Sequence, residues 1–399
     1  MEAPPHLSVE APIIPAMKIT GHELYTVPPR WLFLKIKTDE GIAGWGEPIV
    51  EGRVETVKAA VTELIEDYLL GEDPRTIERH WQHMYHGSHH RGGPILMSAI
   101  AGIDHALWDI KGKAADEPVY ELLGGAMRDR VHICQWATGD KPWEVAESAA
   151  EAVDEGYTAI EMMMNVRPSK VQASEVVNTA EQRLMKVREA VGSDVDIAVD
   201  FRGRTSRAIA KQLLSLVERY NVMYVEEPLL PEYNHALPDL ARNTSVPIAT
   251  GQRLYSRWDF REVLRDGGVD IIQPSICHAG GITELQKIAN MGEAFDTPVV
   301  TKCPVGPVAF AAAVHFGLAT QNAVLQDQHH EVYAQKGSNF LDYVSNPDFF
   351  EHAGGYVAIP EVPGLGVAVD ESKIESRATG NLQWRNPLWH YDDGSVADW

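Results

Sequence analysis

A chain of 399 residues is long for one domain and suits either two domains or one barrel with an attached layer. Its hydrophobic content of 44% and its 24 scattered prolines describe a globular protein with a large core. The formal charge of −22 argues against nucleic acid and anionic membrane as partners, whose phosphates it would repel.

The N-terminal stretch "MEAPPHLSVEAPIIPAM" has neither a basic start nor an uninterrupted apolar run, so no signal peptide is expected, and residues 1–16 read as a flexible tail. Residues 17–48 read as a meander, "MKITGHELYTV", "RWLFLKIKT" and "GIAGWGEP", separated by Pro-Pro and Asp-Glu-Gly turns. Helical periodicity follows in "VETVKAAVTELIEDYLLG" and "PILMSAIAGIDHALWDIKGKAA", which completes an α+β unit over 17–130. From 131 short β-rich runs alternate with amphipathic stretches: "VHICQWA", "YTAIEMMM", "VDIAVDF", "NVMYVEE", "VPIATG", "VDIIQPS", "TPVVTK" and "NAVLQD". Eight strands, nearly all followed by a helix, predict a parallel (β/α)8 barrel over 131–350, an α/β fold. The Pro/Gly-rich and aromatic piece 351–399 is too short for a domain and is expected to pack back on the N-terminal unit.

Cys134, Cys277 and Cys303 are few and widely spaced, which fits a reducing compartment rather than a disulfide framework. No run approaches the roughly 18 apolar residues of a membrane span, so a soluble cytoplasmic protein is expected. No P-loop, G-x-G-x-x-G, H-E-x-x-H or paired C-x-x-C occurs, and the nucleotide and zinc classes find no support.

The strand ends Asp200, Glu226, Gln252, Ser275, Lys302 and Asp327 follow one another at intervals of 23 to 27 residues, about one βα unit each. They should ring the C-terminal mouth, where barrels of this kind carry their chemistry. Acids on consecutive strands would suit magnesium, which prefers hard oxygen ligands. Gln252 interrupts that series.

The chain resembles the enolase superfamily and, within it, the galactonate-type sugar-acid dehydratases. The resemblance runs over nearly the whole chain and is carried by "PPRWLFLKIKTDEGIAGWGEP", "RGGPILMSAIAGIDHALWDIKGK", "VEEP", "HAGGITE", "CPVGP" and "WRNPLWHYDDGSVADW". It implies an N-terminal capping domain over a modified barrel, with magnesium held by acids at the ends of the third, fourth and fifth strands. It also implies a histidine just past the first ligand, a His–Asp pair on the seventh and sixth strands, and a carboxylate on the eighth. Asp200 and Glu226 match the first two ligands, but Gln252 stands where the third acid belongs. Arg202 replaces the first histidine, Ser275 the aspartate and Lys302 the histidine of the pair; Asp327 keeps the eighth-strand acid. Glu161 occupies the second strand, where a lysine is common.

Arg202 and Lys302 add two positive charges and Gln252 removes a negative one, so Asp200 and Glu226 are expected to be remnant ligands without metal, and no cofactor is expected unless magnesium occupies them. Two readings stay open for those acids, metal ligation or ion pairs with Arg202 and Lys302. Lys302 is either a base of lowered pKa or an ion-paired lysine, and Ser275 a hydrogen-bonding residue. His329 or His330, after the eighth strand, could supply an acid–base group. His90 of the "HMYHGSHHRGG" cap segment, Trp31, Glu161 and Gln252 are the expected substrate-side residues. The functional expectation is a repurposed, metal-independent lyase, isomerase or cyclase acting on a small carbonyl- or carboxylate-bearing substrate. The alternatives are an inactive relative that binds a ligand or partner subunit, and a magnesium-dependent sugar-acid dehydratase. A homo-oligomer is expected from the resemblance.

Overall fold

The computed structural model describes residues 17–164, 173–303, 306–328, 339–378 and 384–397. The N-terminal unit begins with three antiparallel strands, β1 (Ile19–Val27), β2 (Trp31–Thr38) and β3 (Ala43–Gly46), in the order β1-β2-β3. Helices α1 (Val54–Tyr68), α2 (Ile77–His86) and α3 (Gly93–Ala115) cover them, and the short α4 (Val119–Leu122) leads out. The glycines of "AGWG" have a packing reason. A Cβ on Gly46 would meet the Gly102 carbonyl at 1.9 Å, and one on Gly44 the Ala106 carbonyl at 2.1 Å, so β3 lies directly on the backbone of α3.

Eight parallel strands then close on themselves: β4 (Arg130–Ala137), β5 (Ala159–Met163), β6 (Asp196–Asp200), β7 (Tyr224–Glu226), β8 (Ile248–Thr250), β9 (Ile271–Ile272), β10 (Val299–Cys303) and β11 (Ala323–Gln328). Pairing of β11 with β4, Asp327 opposite Cys134, seals the barrel. Helices α5 (Pro142–Asp154), α6 (Ala173–Val191), α7 (Arg207–Val217), α8 (Leu237–Ala241), α9 (Arg257–Asp266), α10 (Gly281–Ala294) and α11 (Pro307–Ala319) alternate with the strands. Local signals set their starts. Ser206 accepts from Ile209 N before α7, and Asp259 accepts from Ser256 N in a capping box at α9. The α+β unit and the barrel are those expected from the pattern of the chain, and the cap over the barrel is what its family resemblance implies.

Helix α3 joins the two units. His105 Nε2 meets the Ile276 carbonyl at 3.1 Å, Asp104 Oδ2 accepts from Thr283 N at 3.1 Å, and Trp108 Nε1 donates to Thr283 Oγ1 at 3.0 Å. Glu47 reaches from the cap to accept from Ala309 N at 2.7 Å, at the start of α11. The C-terminal piece adds β12 (His352–Ala353) and β13 (Tyr356–Ala358), the latter antiparallel to β4, then α12 (Glu371–Arg377) and a small hairpin, β14 (Trp389–His390) with β15 (Val396–Ala397). Its Leu365 N donates to Asp109 on α3, and Lys35 of β2 pairs with Glu371. The cap meets the C-terminal face of the barrel, and the C-terminal segment packs on the cap. Among the described residues no helix is long and apolar enough to cross a membrane.

Candidate active site

Side chains two apart on a strand point the same way, so the barrel interior is built in layers. One layer holds the small residues Cys134, Ala159, Ala198 and Ala249 around Tyr224. Two residues further along, the same and neighbouring strands supply Trp136, Glu161, Asp200, Glu226, Lys302 and Asp327. Gln273, just past β9, joins them and donates to Glu226 Oε2 at 2.7 Å. The chemistry-bearing strand ends therefore form a polar layer inside the barrel rather than a rim above it.

Lys302 is the hub of that layer. Its ammonium lies 2.7 Å from Glu226 Oε2, 2.8 Å from Asp327 Oδ2 and 3.0 Å from Glu161 Oε1, and all four side chains are fully buried. Burial alone would lower its pKa, but Asp327, Glu161, Glu226 and Asp200 outweigh it and hold the amine well above its ordinary value. Its surroundings thus favour the ammonium, the opposite direction from the lowered-pKa reading. Burial, reinforced by Asp327 and Glu226, drives Glu161 well above the carboxylate range. Burial also pushes Glu226 up to about 7 against the pull of Lys302. Trp136, on the first barrel strand, donates Nε1 to Asp327 Oδ1 at 3.0 Å, and its ring lies 5.8 Å from Lys302 Nζ.

Arg202 closes the layer from above. Its φ of 54° is left-handed, an unusual state for a non-glycine residue, and it curls the side chain back over its own strand end. Its backbone N–H donates to Asp200 Oδ1 at 2.6 Å and its Nε to Oδ2 at 3.0 Å, while the guanidinium sits 5.1 Å from the Trp136 ring centre. Arg253 is anchored beside it through Glu227, with Nη2 2.6 Å from Oε2 and a further bond to the Arg202 carbonyl. Gly203 makes room: a Cβ there would meet Arg253 Nη2 at 2.6 Å.

Above these guanidiniums is a cavity of about 220 Å³ between barrel and cap, lined among others by Arg202, Gln252, Arg253 and His278 from the barrel, Glu51 from the cap and Asn386 from the C-terminal segment. The expected residues divide accordingly. Arg202 and Gln252 line the cavity, whereas Asp200, Glu226, Lys302, Asp327 and Glu161 lie beneath it. Lys302 therefore does not face a ligand in this arrangement. Ser275 is fully buried and bridges backbone to backbone with Lys302, its hydroxyl without a hydrogen-bond partner among the described residues. Trp31 is buried in the cap, edge-on to Tyr343 at 5.7 Å, and does not line the cavity. His90 is exposed on the loop before α3. His329 and His330 fall outside the described residues.

Sequence reasoning missed Arg253, Glu51 and His278. His278 lies in the loop between β9 and α10, within the "HAGGITE" motif, and the rule that singled out strand ends could have been extended to such loops. Its contact across to Ser98 of the cap spans 180 residues of sequence and carries no local signal.

Comparison with known proteins fixes the family. Residues 15–124 match the mandelate racemase / muconate lactonizing enzyme N-terminal domain, and residues 144–373 the enolase C-terminal domain-like family. D-galactonate dehydratases of Ralstonia nicotianae and Cronobacter sakazakii are each 47% identical over 383 residues, covering 96% of this chain and 100% of theirs. Among solved structures, an enolase from Agrobacterium radiobacter with bound sodium and L-malate superposes with a TM-score of 0.86 at 30% identity, over 95% of this chain and 99% of that one. A mandelate racemase/muconate lactonizing enzyme from Jannaschia gives 0.83 at 30%, over 91% and 98%. Identity of this extent to two dehydratases overturns the expectation of a metal-independent lyase, isomerase or cyclase, and backs the sugar-acid dehydratase alternative instead. The chain belongs to the mandelate racemase / muconate lactonizing enzyme group of the enolase superfamily, a family of enzymes.

Proposed function

We propose that the chain is a sugar-acid dehydratase acting on an aldonate of the galactonate class. The observation that carries this reading is the end-to-end match, 47% over 96% of the chain, to D-galactonate dehydratases. The cavity suits such a substrate. Arg202 and Arg253 present fixed guanidiniums, the groups that best take a carboxylate, and Gln252, Asn386 and Glu51 offer hydrogen bonds to hydroxyls. The Agrobacterium radiobacter relative holds L-malate, itself a 2-hydroxy acid.

Dehydration removes the proton at C2 and the hydroxyl at C3 as water, leaving an enol that becomes a 2-keto-3-deoxy acid. Magnesium is the ion the family implies, and the donor set fits it in kind. Glu161, Asp200 and Glu226 offer carboxylate oxygens all within 4.8 Å of one another, and Glu226 Oε1 is buried with no hydrogen-bond partner among the described residues. Glu161 brings to this set the third carboxylate that Gln252 does not. Magnesium held by these three acids would supply positive charge from the layer beneath the cavity, lowering the cost of an enediolate bound above it. Lys302 shares the same oxygens, so its ammonium carries part of the positive charge the acids require. Arg202 and Arg253 orient the substrate, and Trp136 with Arg202 keeps water from the layer below.

The test is incubation of purified protein with D-galactonate and its epimers in the presence of magnesium, following 2-keto-3-deoxy acid by its carbonyl chemistry. Steady turnover of at least one aldonate is expected. A protein inert toward the whole panel would overturn the reading.

A further inference from the structure

We infer that His278 is the proton-transfer residue of this site, taking the C2 proton of the bound sugar acid on Nε2; the inference rests on the dehydratase reading above. Among the cavity-lining residues few can accept a proton. Arg202 and Arg253 are donors only. Glu227 already accepts from Thr250 Oγ1, Gly251 N and Arg253. Lys302 lies fully buried beneath the cavity, within 3.0 Å of three acidic side chains, and does not line it. That leaves Glu51, Tyr255 and His278; Glu51 sits 3.6 Å from Arg30 in an ion pair, and burial raises the Tyr255 phenol above its ordinary value, so that it keeps its proton.

The hydrogen bonds assign the tautomer of His278. Ser98 Oγ carries one hydrogen and donates it to the Pro94 carbonyl at 2.6 Å. The same oxygen lies 2.9 Å from His278 Nδ1, so it can only accept there, and Nδ1 bears the proton. In the neutral ring Nε2 is then an open lone pair, the atom a general base needs. Burial lowers the pKa of His278, keeping the ring neutral, and Glu51 opposes that shift and favours the imidazolium once it forms. Glu51, Glu227, Tyr255, Arg202 and Arg253 are the other titratable or charged groups around the cavity.

The step balances without an oxidant. Nε2 takes the C2 proton, the C2–C3 double bond forms as the C3–O bond breaks, and the imidazolium returns the proton to the departing hydroxide. Water leaves, the imidazole is restored and the enol tautomerises. Ser98, on the cap, acts as a positioning residue, which makes cap docking a condition for the reactive tautomer.

His278→Asn keeps a donor near the Nδ1 position and removes Nε2. Loss of the acid–base group should lower kcat by about 10²- to 10⁴-fold with KM for D-galactonate changed only a few-fold. A kcat within threefold of the parent overturns the inference while leaving the dehydratase reading standing. Ser98→Ala, which frees the ring, should lower kcat less and broaden its pH profile; an unchanged profile counts against the assignment. Long-range ¹⁵N–¹H spectra of the parent protein supply a readout independent of turnover, expected to show His278 protonated on Nδ1 and its Nε2 signal displaced by D-galactonate. If no aldonate is turned over, the dehydratase reading fails, and the same spectra still judge His278: displacement supports its place at the ligand, and an unmoved signal or the opposite tautomer overturns it.

Discussion

Replacing Lys302 by Met removes the ammonium while keeping an unbranched chain of similar length, and the structure sets what that should cost. Three carboxylates approach Nζ within 3.0 Å, and none of the four side chains reaches solvent. At an effective dielectric of 20, a pair at 2.7 Å is worth about 6 kcal/mol of gross attraction, but the acids also repel one another by several kcal/mol at their spacing. The net loss on stranding buried charge is about 3–5 kcal/mol. At roughly 2–4 °C per kcal/mol for a domain of this barrel's size, the melting temperature should fall by about 6–20 °C. The sign with pH follows from the freed acids. Without Lys302 their folded pKa values rise further above the unfolded one, so the folded state holds extra protons at low pH and loses that advantage as pH rises. The deficit of Lys302→Met should therefore be smaller at pH 5 than at pH 8. Lys287→Met is the control, because its pair with Glu78 is partly exposed and worth at most about 1 kcal/mol. Melting followed by circular dichroism at both pH values checks this. A Lys302→Met protein that melts within about 2 °C of the parent at pH 8 would refute the picture of a charge-closed barrel centre.

Burial raises Glu47 to about 8, against the backbone donors of Ala309, Val308 and Gly306. Its folded value exceeds the unfolded one, so it favours the folded state below pH 4.5 and progressively less up to pH 8. Glu47→Gln keeps an acceptor for Ala309 and should flatten the fall in melting temperature between pH 5 and pH 8; parallel curves would contradict this. Gly281 has φ +81°, and a Cβ there would meet Asp104 Oδ2 at 2.5 Å, so Gly281→Ala should cost at least about 1–3 kcal/mol by forcing a strained backbone and loosening the α3 joint. An unchanged denaturation midpoint would show that the joint yields freely.

The fold was legible because its signals are local and repeated. Alternation along "DIAVDF" or "VPIATG" states which side chains enter the barrel, and near-even spacing of strand ends states that Asp200, Glu226, Lys302 and Asp327 belong to one ring. Depth was not legible. Whether that ring meets ligand depends on what covers it, and the cover is made by Trp136 from the first barrel strand and by the left-handed turn at Arg202. Neither a remote tryptophan nor a positive φ at an arginine announces itself in sequence. From sequence alone the substitutions at 202, 252, 275 and 302 point to a repurposed, metal-independent enzyme, and the identity to D-galactonate dehydratases overturns that reading.

Their common physical effect is on charge rather than on shape. Glu161, Asp200, Glu226 and Asp327 place four carboxylates in and beside one buried layer, and Lys302 and Arg202 return two positive charges. Glu226 at about 7 and the raised Glu161 mark an excess of negative charge that the two cations do not cancel. A layer with that imbalance attracts either protons or a further cation. Gln252 lies on the cavity wall, and Glu161 on the second strand joins Asp200 and Glu226 with carboxylate oxygens all within 4.8 Å of one another. The proposed proton transfer then comes from the loops above, where His278 lines the cavity and the cap's Ser98, bonded at Nδ1, leaves Nε2 with an open lone pair.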